Sequence, residues 1–260
     1  MNMEEVREYG LPLKNEDPQF FYLKEVDSTN RYLRRLLLEE TLSEGSLVVT
    51  DFQQAGRGQV GNVWESEDGK NLLFSLLIYP HFLPVNRQFL ISQIVSLSVK
   101  EVLELYIEGV QIKWPNDIYW ENRKICGILI EHDLMGEWLS QSIIGVGINV
   151  NQKEFRSDAP NPVSLLQITG KTYDRRKLLS DFFCYFFDYY DLLMQGKEEE
   201  IQSSYLAALY HGDGFYRYTD KQGSFEAKIY SIESTGHLVL QLRSGERRHY
   251  AFKEVAFDVC

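Results

Sequence analysis

The sequence predicts an α+β protein, a mixed β-sheet packed with helices and followed by a small all-β unit. Three observations carry this. Apolar runs of strand length, bounded by Gly, Pro, Asn and Asp, recur up to about residue 151. Three stretches, 28–39, 86–107 and 175–195, repeat apolar residues at helical spacing. From about residue 212 the texture changes to short alternating runs broken by glycine. The expected division is 1–210 and 211–260, with no long linker and no internal repeat.

Each element has its own signal. "QFFYLKEV" (19–26) has strand composition. "DSTNRYLRRLLLEE" follows, with Asp27, Ser28 and Thr29 as candidate caps and Tyr32, Leu33, Leu36 and Leu37 at helical spacing. "SLVVTDF" (46–52) reads as a buried strand feeding a glycine-rich loop, and Asp68-Gly69 turns the chain into another, "NLLFSLLIYP". Residues 86–107 give the clearest long amphipathic helix of the first half. Strands return as "VQIKW", "IYW" and "KICGILIEHDL", the last two around the hairpin signal "ENR", and then "SQSIIGVGINVN". Pro160 and Pro162 mark a loop, 175–195 a second long helix, and "KEEEIQSSYLAALY" a third.

Composition excludes several function classes. Of 260 residues, 44% are hydrophobic and 25% charged, ordinary for a soluble globular chain. The formal charge of −11, from 38 acidic against 27 basic side chains, speaks against a protein that grips a phosphate backbone. Cys126, Cys184 and Cys260 are few and far apart, and the five histidines (81, 132, 211, 237 and 249) have no metal-ligand spacing, so neither a disulfide framework nor a zinc site is expected. The start, "MNMEEVREYG", is acidic and lacks a signal-peptide core, and the longest apolar runs fall short of a membrane span. A cytoplasmic protein without a membrane role is expected.

The stretch "QQAGRGQVGNVW" (53–64) contains Gly56, Gly58 and Gly61 at the spacing of a dinucleotide-binding turn. The strand before it is present. The helix that should follow is not, because "NVWESEDGKNLLF" carries Trp, Ser, Asp and Gly, and Pro80, His81 and Phe82 stand where the ribose-binding acid belongs. What remains is a glycine segment displaying Arg57. It can fold its N–H groups over an anion, or it can be a plain surface turn. Lys113 ends an apolar strand before "WPND", a rigid mount for a cation or a lysine snorkelling from a strand end. Trp114 and Trp120 read as core or rim residues. "GVGINVN" (145–151) places glycines in a strand that ends in Asn149 and Asn151, which marks either close approach by a ligand or a bulge.

Taken in order, "DSTN", "QQAGRGQVGNVW", "KWPNDIYWENRKICGILIE" and "GVGINVN", with the β-rich tail, resemble the biotin–protein ligases. The resemblance spans the chain except its first twenty or so residues. It implies the core of biotin–lipoate ligases, similar to class II synthetases, and a C-terminal barrel of SH3 type. It implies an ATP- and Mg²⁺-dependent reaction in which the carboxylate of biotin attacks the α-phosphate. A lysine of a biotin carboxyl carrier domain, part of a biotin-dependent carboxylase, then attacks the acyl-adenylate. By resemblance Lys113 and Arg57 are the catalytic cations. Ser28, Thr29, Asn30, Gln53, Gly58, Gln59 and Gly127 would bind biotin, and Trp64 and Asn149 the nucleotide. The resemblance leaves open which residues would meet the Mg²⁺. The same fold for lipoate or octanoate, and a non-catalytic biotin sensor, are the alternatives.

Two features depart from the family pattern. Gln59 and Asn62 stand where arginine or lysine is frequent, which predicts an adenylate held less tightly. Only some twenty residues precede "FFYLKEV", too few for a DNA-binding winged helix, so no operator binding is expected.

Overall fold

The structure, a computed structural model, describes residues 18–58, 63–157 and 161–258. Its larger sheet holds seven strands: β1 (Phe20–Val26), β2 (Leu47–Gln53), β3 (Leu72–Ile78), β4 (Val110–Lys113), β5 (Asp117–Trp120), β6 (Arg123–Met135) and β7 (Trp138–Ile148). Their order is β1-β2-β3-β7-β6-β5-β4. β1 and β2 are parallel, and the remaining neighbours are antiparallel. A parallel pair needs a crossover, supplied here by α1 (Thr29–Glu39). The expected mixed sheet is present.

Alternation along the central strands sorts the two faces. On β7, Ile144, Val146 and Ile148 enter the large core, while Ile143 packs beneath α1 with Leu33, Leu36, Val48 and Leu77. The large-core face is covered by α2 (Phe89–Glu104), and the short α3 (Leu165–Thr169) precedes α4 (Arg175–Met194) and α5 (Glu198–Ala207). Phe182, Phe183 and Phe186 of α4 are fully buried, and the rings of Phe182 and Phe74 meet edge to face at 5.0 Å between centroids. The 86–107 periodicity becomes a helix only from Phe89, because a 3₁₀ turn at Val85–Arg87 takes up its start. Ser164 and Gln167 form a capping box on α3, which ends on Gly170 in the left-handed region.

The alternating tail forms a second, antiparallel sheet of β8 (Tyr216–Asp220), β9 (Gly223–Ile232), β10 (Leu238–Leu242), β11 (Arg247–Tyr250) and β12 (Ala256–Phe257), in the order β11-β10-β9-β8-β12. It meets the larger sheet where Trp114 Nε1 donates to Gly236 O at 2.9 Å. Among the described residues no helix is long and apolar enough to cross a membrane.

Leu33 is wholly buried and anchors α1 to the sheet. Leu33→Ala is expected to lower unfolding stability by about 2–5 kcal/mol, read from urea melts.

Candidate active site

The side of the sheet that α1 covers is bare beyond the helix's first turn. Gly127 of β6 and Gly147 of β7 are cross-strand partners, and Leu129 pairs with Gly145. A Cβ on Gly145 would stand 2.3 Å from Asn30 Oδ1, one on Gly147 2.6 Å from Trp64 Nε1, and one on Gly127 2.7 Å from the same indole. The glycines are therefore required by close approach, and the ladder runs through them without a bulge. They floor a cavity of about 100 Å³.

Three polar residues at the start of α1 close one side. Ser28 occupies the cap position in extended geometry, yet its side chain makes no capping bond, and it lines the cavity. Thr29 donates from its amide (2.9 Å) and its hydroxyl (3.2 Å) to Gln53 Oε1. Ser75 Oγ lies 2.7 Å from Thr29 Oγ1 and donates to Asn30 Oδ1 at 2.6 Å. Asn30 Nδ2 donates in turn to Glu131 Oε2 at 2.9 Å. Ser28, Thr29, Asn30 and Ser75 are buried, so this connected row fixes polar groups that would otherwise be free to rotate.

The glycine loop arrives from the end of β2. Its stem is closed by Arg57 bridging Val63 and by Trp64 N donating to Gly56 O at 2.9 Å. A Cβ on Gly56 would meet Trp64 O at 2.4 Å, which explains the first glycine without any dinucleotide. No helix follows, as the sequence predicts. Arg57 NH1 pairs with Glu131 Oε1 at 3.2 Å. Gln59, Val60, Gly61 and Asn62 lie outside the described residues, and so do the expectations placed on Gln59 and Asn62.

Ser28, Thr29, Asn30, Gln53, Arg57, Gly58, Trp64 and Gly127 all line the cavity. Lys113 and Asn149 do not, and Lys124 stands on the wall where Lys113 is expected. A β-bulge is the cause. Ile118 pairs with Cys126 but Tyr119 with Lys124, so Ile125 is the extra residue. Strict alternation from Gly127 would turn Lys124 into the core; the bulge turns it onto the cavity face. Lys124 Nζ sits 2.6 Å from Asp117 Oδ1 and 5.8 Å from the Trp64 ring centroid. Lys113, on β4 beyond the cis Trp114–Pro115 turn, instead places Nζ 3.3 Å from the Tyr119 hydroxyl. Burial lowers its pKa below the usual lysine range, the Asp117 charge opposes that shift, and the Lys124 charge adds to it.

Asn149 is buried, donating to Val163 O at 3.1 Å, while its Oδ1 has no partner among the described residues. Trp64 Nε1 is likewise buried and unpartnered among them. Chemically, the site offers a floor free of side chains over which the Trp64 indole lies, a row of neutral hydrogen-bonding groups, and two cations at the rim, each held by one carboxylate. Sequence reasoning missed Lys124, Asp117, Glu131 and the floor glycines 145 and 147 as a set. The odd-numbered glycines on paired strands were the available signal.

A model of the biotin/lipoate A/B protein ligase family matches residues 22–149. Over 261 residues the chain is 30% identical to the bifunctional ligase/repressor BirA of Bacillus spizizenii, covering 96% of this chain and 78% of that one. It is 32% identical over 178 residues to biotin–protein ligase 2 of Arabidopsis thaliana, covering 64% and 52% respectively. The structure of the biotin protein ligase from Aquifex aeolicus in complex with biotin and ATP superposes with a TM-score of 0.77 at 27% identity, covering 93% of this chain and 99% of that one. With the fold, the motifs and the extent of the match in agreement, the chain belongs to the biotin–protein ligases of the biotin/lipoate ligase family.

Proposed function

We propose that this ligase adenylates biotin with ATP and transfers the biotinyl group to a lysine of a biotin carboxyl carrier domain. The observation that carries the reading is the glycine-floored cavity with Lys124 and Arg57 on its rim. In the first half-reaction a carboxylate attacks a phosphate, and fixed cations offset the repulsion between two anions. Lys124 is the cation we place between the two, and Arg57 closes from the loop. Lys113, expected in that place from the sequence, touches neither ligand in this reading. Ser28, Thr29, Asn30 and Gln53 hold the ureido ring, and Gly127, Gly145 and Gly147 let it lie against the strands. Trp64 packs near adenine once its ring leaves that floor, and the free Asn149 Oδ1 accepts from the nucleotide.

Water must be kept from the mixed anhydride, and Arg57 and Gly58 bring the loop stem to the cavity for that purpose. Among the described residues no group of three or more His, Cys, Asp or Glu is placed to hold a metal, and Asp117 at the cavity is engaged by Lys124. In this reading Mg²⁺ arrives with the nucleotide substrate, held by its phosphates. We read residues 211–260 as a barrel of SH3 type. With a net charge of −11 we assign the described residues no DNA-binding role.

Pyrophosphate exchange into ATP is the test. Exchange should depend on biotin rather than lipoate or octanoate, and Lys124→Ala should lower kcat/KM by about a hundredfold or more. Exchange with lipoate alone would keep the family and overturn the substrate. A side chain on the floor should block the ligand while leaving the strand intact. Gly147→Val is therefore expected to lose biotin binding by calorimetry and keep a cooperative thermal melt; unchanged affinity would remove the glycines from the site.

A further inference from the structure

At the edge of the large sheet three charges lie on three adjacent strands: Lys113 on β4, Asp117 on β5 and Lys124 on β6. Lys113 and Asp117 are register partners. Their neighbours Ile112 and Ile118 point into the core, so both charged residues project from the cavity face. The bulge brings Lys124 to the same face, 2.6 Å from Asp117. The row reads plus, minus, plus. Lys124 lines the cavity and Lys113 does not. The Lys113 ammonium stands 4.8 Å from the Tyr119 ring centroid and 5.6 Å from that of Phe257, which β12 of the second sheet lays over it. Among the described residues Lys113 forms no ion pair.

We propose that Lys113 is a positioning residue that acts through Asp117: it supplies the second counter-charge to that carboxylate and so frees the Lys124 ammonium to turn to an anion in the cavity. The proposal rests on the adenylation reading for its reactants. Its logic is electrostatic. Asp117 is neutralised by Lys124 at contact distance. When an anionic ligand draws Lys124 away, a carboxylate without a partner would be penalised. Lys113, held opposite on the next strand, remains to compensate it. Its attraction acts across the strand gap without contact, and Tyr119 and Phe257 limit the water that would screen it. Lys113 also explains why two lysines and one acid share this edge where a single ion pair would suffice to hold the strands. The groups facing its head are Asp117, Lys124, Tyr119 and the imidazole of His211, whose Nδ1 is buried and unpartnered among the described residues.

The experiment is a double-mutant cycle on the full chain with Lys113→Met and Asp117→Asn, methionine being chosen because it packs well against aromatic rings. Two readouts are taken: biotin-dependent pyrophosphate exchange, and calorimetric binding of inorganic pyrophosphate. Lys113→Met should lower kcat/KM and weaken pyrophosphate binding by about tenfold, within the range of coupling between charged neighbours. Lys113→Arg should restore most of both. In the Asp117→Asn background Lys113→Met should change either quantity by less than about twofold. A loss that persists without Asp117 would put Lys113 in direct touch with the reactants and overturn the proposal, as would a Lys113→Met protein indistinguishable from the parent. Absence of biotin-dependent exchange in the parent, with the coupling still present in pyrophosphate binding, would sink the ligase reading and leave the role of Lys113 standing.

Discussion

The site depends on one steric constraint: β6 and β7 must carry no side chain at Gly127, Gly145 and Gly147. In a sheet packed on both faces, that stretch would otherwise hold residues of the size of Ile143 and Leu129. Removing three side chains lowers the surface locally, so Asn30 can lie against Gly145 and the Trp64 indole against the Gly127–Gly147 pair. A strand interior without side chains is less stable than a filled one, because packing on neighbours is what stabilises a sheet. The opposite face offsets this. There Cys126, Ile128, Ile144, Val146 and Ile148 are all buried in the large aromatic core beneath α2 and α4. The strands can be bare on one side because they are held firmly from the other.

The same division explains why the polar rim keeps its shape. Thr29, Asn30, Ser75 and Gln53 are joined in one hydrogen-bonded row, three of them buried, and each member limits the rotation of the next. α1 contributes its first turn to this row and its Leu33 and Leu36 to the smaller core, so the anchor and the site lie on one rigid element. The unused capping potential of Ser28 belongs to the same economy: a hydroxyl that would ordinarily satisfy the helix end is kept at the cavity instead.

The charges behave differently from the floor. Arg57 with Glu131 and Lys124 with Asp117 are partly exposed pairs, between 28% and 38% accessible at each side chain. Pairs this open to solvent hold less firmly than buried ones, so Arg57 can leave Glu131 for a phosphate at little cost, and on the proposal above Lys124 can leave Asp117 because Lys113 stands opposite to compensate it. A fully buried pair would hold its cation too firmly to serve an incoming anion. The floor is thus rigid and the cations are exchangeable, which suits the proposed adenylation, in which two anions are brought together.

Local signals were enough for the strands, the long helices and the change of texture near residue 212, whereas most of the polar rim came from the family resemblance, since "DSTN" by itself reads as a helix cap. Alternation, helical spacing, caps and glycines are properties of neighbouring residues, and "DSTN" and "QQAGRG" each keep their site residues within a few positions. The choice between Lys113 and Lys124 was of another kind. Both sit on strands, one on either side of the "WPND" turn region, so nothing local separates them. One extra residue opposite Ile118 and Tyr119 decides it, by reversing the alternation of β6 and delivering Lys124 to the cavity. The floor likewise required two strands to be paired in register, Gly127 against Gly147, before three scattered glycines became one surface. Sequence alone determined which elements form and which residue types the chemistry has available. Tertiary structure decided which cation faces the cavity, because the side of a sheet that a residue occupies is set by its pairing with another strand and not by its own neighbours.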